Sequence, residues 1–299
     1  MAAKKYDFVA IVDTVTDAFI RLKEASVHCT IDRERCEICM RFADKIPYED
    51  VWIVPAVGNS ANAAVAAARL GLKSALVTNI GGDSHGEECF QALKKENVST
   101  DFVSIHHKKK TNYHYVLWYE DDRTILIKHE EYAYSLPEIN DPGWVYLSSL
   151  AENSLEFHFE IEKYLNGKPQ IKFAFQPGTF QIKFGKEKLA GLYKRADLFF
   201  CNTDEARRIL KVQESDVKKL MQMINKLGPK IVVITDGPKG AYVYERSSPS
   251  AGSGQNSQGE FWFMPAYPDP KPPYERTGAG DAFSSTFTVA LALGKSVPE

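Results

Sequence analysis

Short runs rich in β-branched and aromatic residues alternate with longer helical patterns along almost the whole chain, and this alternation limits the fold more than any other feature. YDFVAIV is followed by the alanine-rich NSANAAVAAARLG, then SALVTNIG, then GEECFQALKKENV. The second half repeats the rhythm with WVYLSSL, SLEFHFEIEKYLNG, IKFAFQP, LAGLYKRA, DLFFCN, TDEARRILKV, KKLMQMINKLG and KIVVITDG. Strands that alternate with helices build a mostly parallel sheet covered on both faces. The expectation is one α/β domain over residues 1–299, doubly wound and Rossmann-like. Two stretches break the rhythm, roughly 18–50 and 105–132, where VWIVP and TNYHYVLWYEDDRTILIKHEEY alternate apolar and polar residues. Antiparallel strands with one wet face show that pattern, so a small β lid inserted in the domain is expected. Between YVYE and FWFM, the Ser/Gly/Gln-rich residues 247–259 are expected to form a flexible hairpin tip.

A chain of 299 residues with 44% hydrophobic residues can bury a full core. Its net charge of −2 and pI near 6.4 favour neither a phosphate backbone nor an anionic membrane, so no nucleic-acid or membrane partner is expected. The N-terminal MAAKKYDFVAIVD runs straight into a strand pattern rather than a signal segment, and no apolar run reaches membrane-spanning length. A cytoplasmic location is therefore expected. Five cysteines in a chain of this length do not make a disulfide framework.

YERTGAGDAFSST, residues 274–286, sets two glycines and a carboxylate at the mouth of a helix. A plain helix start would explain it, with Thr277 or Asp281 as cap and the glycines as turn. The alternative is that Gly278, Ala279 and Gly280 present backbone N–H groups to an anion that the helix dipole also favours. AVGNSANAAVAAARLG, 56–71, puts Gly58, Asn59 and Asn62 at another helix start. Asn59 or Ser60 can serve as the cap there, whereas Asn62, a mediocre helix former, is placed to hydrogen-bond a polyol. IVDTVTDAF ends the first strand in Asp13 and Asp17. Open α/β sheets bind ligands beyond the carboxyl ends of their strands, so the pair can take sugar hydroxyls or a metal, although turn chemistry explains one aspartate equally well. CNTDEARRIL places Asn202, Asp204 and Glu205 at a helix start, either as dipole partners or as a magnesium site that works through water. VVITDGPKGAYVY reads as a hairpin, or as a turn in which Thr235, Asp236 and Gly237 face a nucleotide phosphate.

HCTIDRERCEIC brings His28, Cys29, Cys36 and Cys39 close together. Zinc ligation, a redox-labile pair and packed free thiols are all open readings, with at least one sulfur expected within bonding distance of another. Other motifs fail. VALALGKS has Val289 where a P-loop needs its first glycine, and the chain has no G-x-S-x-G, HExxH or G-x-G-x-x-G in the required context. Lys108, Lys109 and Lys110 read as a solvated loop.

In order along the chain, Asp17, the Gly58-x-x-x-Asn62 spacing, Asn202-x-x-Glu205, the T-D-G-x-x-G of 235–240 and Thr277-Gly-Ala-Gly-Asp281 resemble the ribokinase-like (PfkB) family of carbohydrate and nucleoside kinases. That resemblance implies a Rossmann-like sheet with a β lid, ATP as phosphoryl donor and magnesium. It implies that Asp281 is the general base and that the amides of Gly278, Ala279 and Gly280 form an anion hole, as phosphoryl transfer depends on positioning and electrostatics. It also implies that Asp13, Asp17, Gly58, Asn59 and Asn62 bind the acceptor, that Asn202, Thr235, Gly237, Gly240 and Thr277 line the nucleotide, and that Asn202 and Glu205 order magnesium waters. A homodimer through the lid is a further expectation.

The chain departs from the family pattern in several places. Arg276 stands before Thr277 where Asp-Thr is usual, and Val57 stands before Gly58 where a second glycine is usual. Gln176-Pro-Gly-Thr179 replaces a common Asp-Pro-Asn, and Val12 replaces a common glycine. These departures bear on the acceptor rather than the chemistry. The family pattern normally continues past the GAGD helix with a segment that helps close the adenine pocket; this sequence ends at Glu299, so either more chain follows or the pocket is completed differently. Asp17 with Asn62 suits neutral hydroxyls, while Arg276, Lys108–Lys110 and Arg123 would suit a phosphate. A sugar-phosphate kinase and a non-catalytic sugar or nucleotide sensor of the same fold are the alternatives to a kinase of neutral sugars or nucleosides.

Overall fold

The computed structural model describes residues 5–30, 36–120, 122–246, 259–268, 271 and 276–299. At its centre is a nine-stranded sheet, whose order from one edge is Glu260–Met264, Ala241–Glu245, Ile231–Thr235, Leu198–Asn202, Lys172–Phe175, Trp144–Leu147, Phe8–Ile11, Ser74–Gly81 and Val103–His106. The first two strands pair antiparallel and the others run parallel. Phe8–Ile11 is buried along its whole length because successive side chains enter opposite layers. Phe8 and Ala10 pack with Tyr146 and Phe200 on one face, while Val9 and Ile11 pack with Phe173 and Phe175 on the other. The Ser/Gly-rich tip expected at 247–259 lies outside the described residues except for Gly259.

A second sheet of four strands is ordered Tyr48–Val57, Val15–Leu22, Asn112–Tyr119 and Asp122–Leu126. Its strands begin at residue 15 and reach residue 57, beyond the 18–50 window read from the sequence, and Val103–His106 belongs to the main sheet instead. The alternating pattern suggested antiparallel strands throughout. The central pair, Val15–Leu22 with Asn112–Tyr119, is parallel, because each strand follows directly from a parallel region of the main sheet. A separate hairpin, Ser26–Cys29 with Cys36–Cys39, projects beyond the small sheet.

In that hairpin Cys29 and Cys36 are directly opposed and form a disulfide, and Cys39 is a free thiol. The zinc reading of His28, Cys29, Cys36 and Cys39 gives way here, since two of the four sulfur and nitrogen donors are spent on each other. The His28 ring lies 3.1 Å from Ser26 Oγ, and among the described residues no group of three or more His, Cys, Asp and Glu side chains is placed to hold a metal.

Helices Asn59–Arg69 and Ala279–Ala292 pack against each other beside the sheet. Their sequences permit a close approach. Ala61, Ala63, Ala64 and Ala67 are fully buried, as are Ser284, Ser285 and Thr288 across the contact. Small side chains bring the two helix starts near enough for their polar groups to meet, which larger ones would prevent. Among the described residues no helix is long and apolar enough to cross a membrane.

Candidate active site

The candidate residues gather at the carboxyl edge of the parallel strands, where open α/β sheets bind ligands. Asp13 and Asp17 follow Phe8–Ile11, Gln176 follows Lys172–Phe175, and Asn202 and Thr235 end neighbouring strands as register partners. The helix Ala279–Ala292 points its start at the same edge.

Gly278 is the N-cap of that helix, with φ +81°, a left-handed conformation that glycine tolerates and other residues resist. Among the described residues no side chain caps the helix, and the Asp281 carboxylate is taken by amides of other elements rather than by its own helix start. The Ala279 N–H donates to the Arg276 carbonyl at 3.3 Å, which ties one of the three candidate amides into the turn. Among the described residues, and apart from chain neighbours and the helix's own backbone, a Cβ at Gly278 or at Gly280 would meet no atom within 4 Å. Packing therefore does not demand glycine at 280; the space in front of it is open.

Asp281 sits in the first turn with its carboxylate held by three amides. Asn59 Nδ2 donates to Oδ1 at 2.8 Å, Asn62 Nδ2 donates to Oδ2 at 2.9 Å, and Gln176 Nε2 donates to Oδ1 at 3.3 Å. Burial raises its carboxyl above the usual aspartate value, the three amides oppose that rise, and Asp17 adds to it. Asp17 thus faces the same space. Behind Gln176, the Tyr146 hydroxyl donates to Gln176 Oε1 at 2.5 Å and Ser284 Oγ donates to the same oxygen at 3.2 Å, which fixes the amide with its nitrogen toward Asp281. Neither Asn59 nor Ser60 caps its own helix. Gly58 is the N-cap, with φ +120°, Asn59 is committed to Asp281, and Ser60 lies 2.6 Å from Ser148 Oγ.

Asn202 and Glu205 form a reciprocal capping box. Glu205 N–H donates to Asn202 Oδ1 at 2.8 Å, and Asn202 N–H donates to Glu205 Oε2 at 2.9 Å. Burial raises the Glu205 carboxyl, the Asn202 N–H and the charge of Arg208 oppose that rise, and Asp281 and Asp204 add to it. Asp236 is used within the protein, accepting from Thr203 Oγ1 at 3.1 Å and from Lys239 Nζ at 3.2 Å. Gly237 has φ +53° and open space at its Cβ position, whereas a Cβ at Gly240 would lie 2.1 Å from the Met264 carbonyl. Close approach of the hairpin to the next strand thus accounts for Gly240 without a ligand.

Asp13 is only 2% exposed. Its Oδ2 accepts from the Tyr134 hydroxyl at 2.5 Å and from the Ala151 N–H at 2.8 Å, and burial pushes its carboxyl up to about 6 despite these donors. His129 Nδ1 lies 3.9 Å from Asp13 Oδ2, and His114 Nδ1 lies 3.4 Å from Asp17 Oδ1. The two imidazoles meet edge to face at 5.2 Å. Sequence reasoning passed over both histidines. His114 is one residue in an aromatic-rich strand, and His129 follows a strand end with no motif around it; only their joint proximity to Asp13 and Asp17 distinguishes them. Arg123, considered as a phosphate ligand, is paired with its neighbour Asp122 at 3.1 Å on the outer strand of the small sheet.

A parallel sheet with its polar groups at the carboxyl edge, a small sheet alongside and a helix start that no described side chain caps, next to a half-buried carboxylate, define a kinase of the ribokinase fold. The chain belongs to the family described as pfkB family carbohydrate kinase, whose model matches residues 28–299. Among its relatives, a cytidine kinase of Thermococcus kodakarensis is 29% identical over 250 residues, covering 81% of this chain and 82% of that protein. A ribokinase of Bacillus subtilis is 27% identical over 249 residues, covering 80% and 75%. Among solved structures, the ribokinase of Arabidopsis thaliana complexed with ribose and ATP superposes with a TM-score of 0.71 at 20% identity, covering 98% of this chain and 88% of that one. The nucleoside kinase of Methanocaldococcus jannaschii gives 0.70 at 15% identity, covering 99% and 88%.

Proposed function

We propose that this kinase transfers the γ-phosphoryl group of ATP to a hydroxyl of a sugar or nucleoside, with Asp281 as general base. The observation that carries this reading is the pairing of a half-buried, amide-held carboxylate with the start of a helix that no side chain among the described residues caps. In the transfer, the acceptor oxygen gives its proton to Asp281 and forms the new bond to phosphorus, while the bond from phosphorus to the bridging oxygen breaks and ADP leaves. With the Ala279 N–H held by the Arg276 carbonyl, the amides of Gly278 and Gly280 would face the charge on the equatorial oxygens, and the open space at both glycines would admit them. Asn59, Asn62 and Gln176 orient the carboxylate. Asn62, expected to bind acceptor hydroxyls, reaches Asp281 in this state and would exchange that bond for a substrate hydroxyl.

Asn202, Thr235, Gly237 and Thr277 would line the nucleotide, as they share the edge that adjoins the helix start. Asn202 and Glu205, at the end of the strand next to Thr235, would hold magnesium through water. When bound, magnesium neutralises charge on the phosphates. The lid strand Tyr48–Val57 exposes Val51, Trp52, Ile53 and Val54 in one run, which supports a homodimer formed through the small sheet. Sedimentation of the pure protein at two concentrations tests that part.

The transfer itself is tested by ADP release over a panel of free sugars, sugar phosphates and nucleosides. Acceptor-dependent release is expected. Saturable binding of acceptor and ATP with no turnover would instead make the chain a sensor built on the kinase fold.

A further inference from the structure

Tyr146, on the strand Trp144–Leu147, is fully buried, and its ring packs at 5.9 Å from Phe8 and 6.3 Å from Phe200. Phenylalanine would fill that place equally well, so the hydroxyl calls for its own account. It lies 3.0 Å from Ser284 Oγ, and both hydroxyls reach the same atom, Gln176 Oε1, at 2.5 and 3.2 Å. Ser284 Oγ is also 3.2 Å from the Asp281 carbonyl, one turn back along its helix. A strand, the end of its parallel neighbour and the helix Ala279–Ala292 thus each send one polar side chain to a point behind the proposed base. This meeting fixes which way the amide points. With Oε1 taken by hydroxyl donors, Nε2 faces Asp281 Oδ1 at 3.3 Å. The reversed amide would set its oxygen against the carboxylate and remove a donor from it.

We infer that Tyr146 and Ser284 are positioning residues for phosphoryl transfer: by locking the Gln176 amide they keep Asp281 Oδ1 occupied, so that Oδ2 is the oxygen that takes the acceptor's proton. The inference rests on the kinase reading above and adds to it the parts that act from behind the base. Counting acceptor sites on the carboxylate gives the choice of oxygen. An ionised carboxylate has about four lone-pair sites, two on each oxygen. Asn59 and Gln176 take those on Oδ1, and Asn62 takes one on Oδ2. The remaining site is on Oδ2, and release of Asn62 to a substrate would open a second on that same oxygen. Burial raises the Tyr146 phenol, which therefore stays protonated and keeps its O–H for Gln176. Without the two hydroxyls the amide is free to turn, Oδ1 loses a donor and the carboxylate loses its fixed orientation. A misplaced base slows the chemical step and leaves ground-state binding of acceptor and ATP in place.

The test uses the full chain with ATP, magnesium and whichever of D-ribose, D-fructose and cytidine supports the most ADP release. Tyr146→Phe should lower kcat by about tenfold while the KM for acceptor and for ATP stays close to wild type. Gln176→Met, which keeps the length of the side chain and removes the amide, should lower kcat by at least as much. Because the phenol acts through the amide, adding Tyr146→Phe to Gln176→Met should change kcat by less than about twofold, a coupling that a purely structural hydroxyl would not produce. Ser284→Ala removes the other donor from the opposite side and should also lower kcat with KM unmoved, so the lock is tested even where Tyr146→Phe folds poorly. Melting curves on each variant show whether it folds. In a structure with acceptor bound, the reacting hydroxyl should lie within hydrogen-bond distance of Oδ2.

Full kcat in folded Tyr146→Phe or folded Ser284→Ala, an acceptor KM that rises while kcat holds, an undiminished effect of Tyr146→Phe in the Gln176→Met chain, or an acceptor hydroxyl seated on Oδ1 each overturns the positioning role. If the unmodified chain releases ADP, Asp281→Asn does not, and Tyr146→Phe keeps its kcat, transfer stands and the lock fails. If the unmodified chain releases no ADP with any of the three acceptors, the transfer reading fails and the lock falls with it.

Discussion

Two helices begin at the same edge of the sheet with an acidic residue in the first turn, and they treat their backbone amides in opposite ways. Thr203–Leu210 starts with a closed capping box, in which Asn202 and Glu205 satisfy each other's N–H groups. Ala279–Ala292 starts at a left-handed glycine with no side-chain cap among the described residues, and its acidic residue turns away to three side-chain amides on other elements. A capped helix start has used the donors that an anion would need, and an uncapped one has kept its dipole and its amides for a ligand. An acidic residue at a helix start is thus no guide by itself; where its carboxylate goes decides what the helix end can do.

The largest effect expected from this contrast comes from Asp281→Asn. Turnover should fall by about 10² to 10⁴, since an amide cannot take the hydroxyl proton. The fold should hold, because the amide oxygen of the variant side chain can still accept from Asn59 and Gln176, and the Asn62 amide can turn its own oxygen inward. Turnover and melting measured on one preparation check both halves. More than a tenth of wild-type turnover would remove Asp281 as the base, and joint collapse of turnover and melting would make the uncapped start a structural device.

Asp13 sharpens the contrast from outside, as a carboxyl that is fully buried and belongs to no helix of its own. Its folded pKa of about 6 lies above its usual 3.8, so the stability it contributes is fully present below 3.8 and is lost as pH rises to about 6. That gap corresponds to on the order of 3 kcal/mol. Asp13→Asn abolishes this dependence while keeping an oxygen for Tyr134 and Ala151. The melting temperature of the variant minus that of wild type should therefore rise by several degrees from pH 4 to pH 6 and level off above it. His129, which titrates in the opposite sense, is present in both proteins and largely cancels in the difference. A flat difference would mean that Asp13 is not the buried carboxylate described here.

Gly280→Ala should separate stability from activity. The added methyl meets nothing within 4 Å, and alanine is the better helix former, so melting should stay level or rise by up to about 1 kcal/mol in equivalent stability. Turnover should fall on the order of tenfold to a hundredfold, because the methyl occupies the space that the phosphoryl group needs. Full activity would show that the open space at this helix start is not used.

The smallest effects are expected at the capped start. Asn202→Ala should cost about 1 kcal/mol of stability, the usual scale for losing a cap. Glu205→Gln keeps the box closed and should leave melting nearly unchanged. If Glu205 also orders magnesium waters, the Gln variant should need more magnesium for half-maximal turnover. An unchanged magnesium dependence would leave the pair as a cap and nothing more.

The sequence by itself determined the parts whose cause is local. Alternating apolar runs and helical periods set out the parallel sheet buried on both faces, and glycine and asparagine spacing marked both helix starts and the family. Segments that build a hairpin, such as Ile231–Thr235 with Ala241–Glu245, were legible for the same reason, since the turn lies between them. Tertiary structure alone decided which helix start is open. Asn59 and Asn62 reach Asp281 across 222 and 219 residues of chain, and no spacing rule connects positions so far apart. It also decided that the central strands of the small sheet run parallel and that Cys29 pairs with Cys36. Most of all it decided that His114 and His129 stand beside Asp13 and Asp17. Each of the four is ordinary in its own segment, and they acquire a shared chemistry only where the packing of the two sheets removes them together from water.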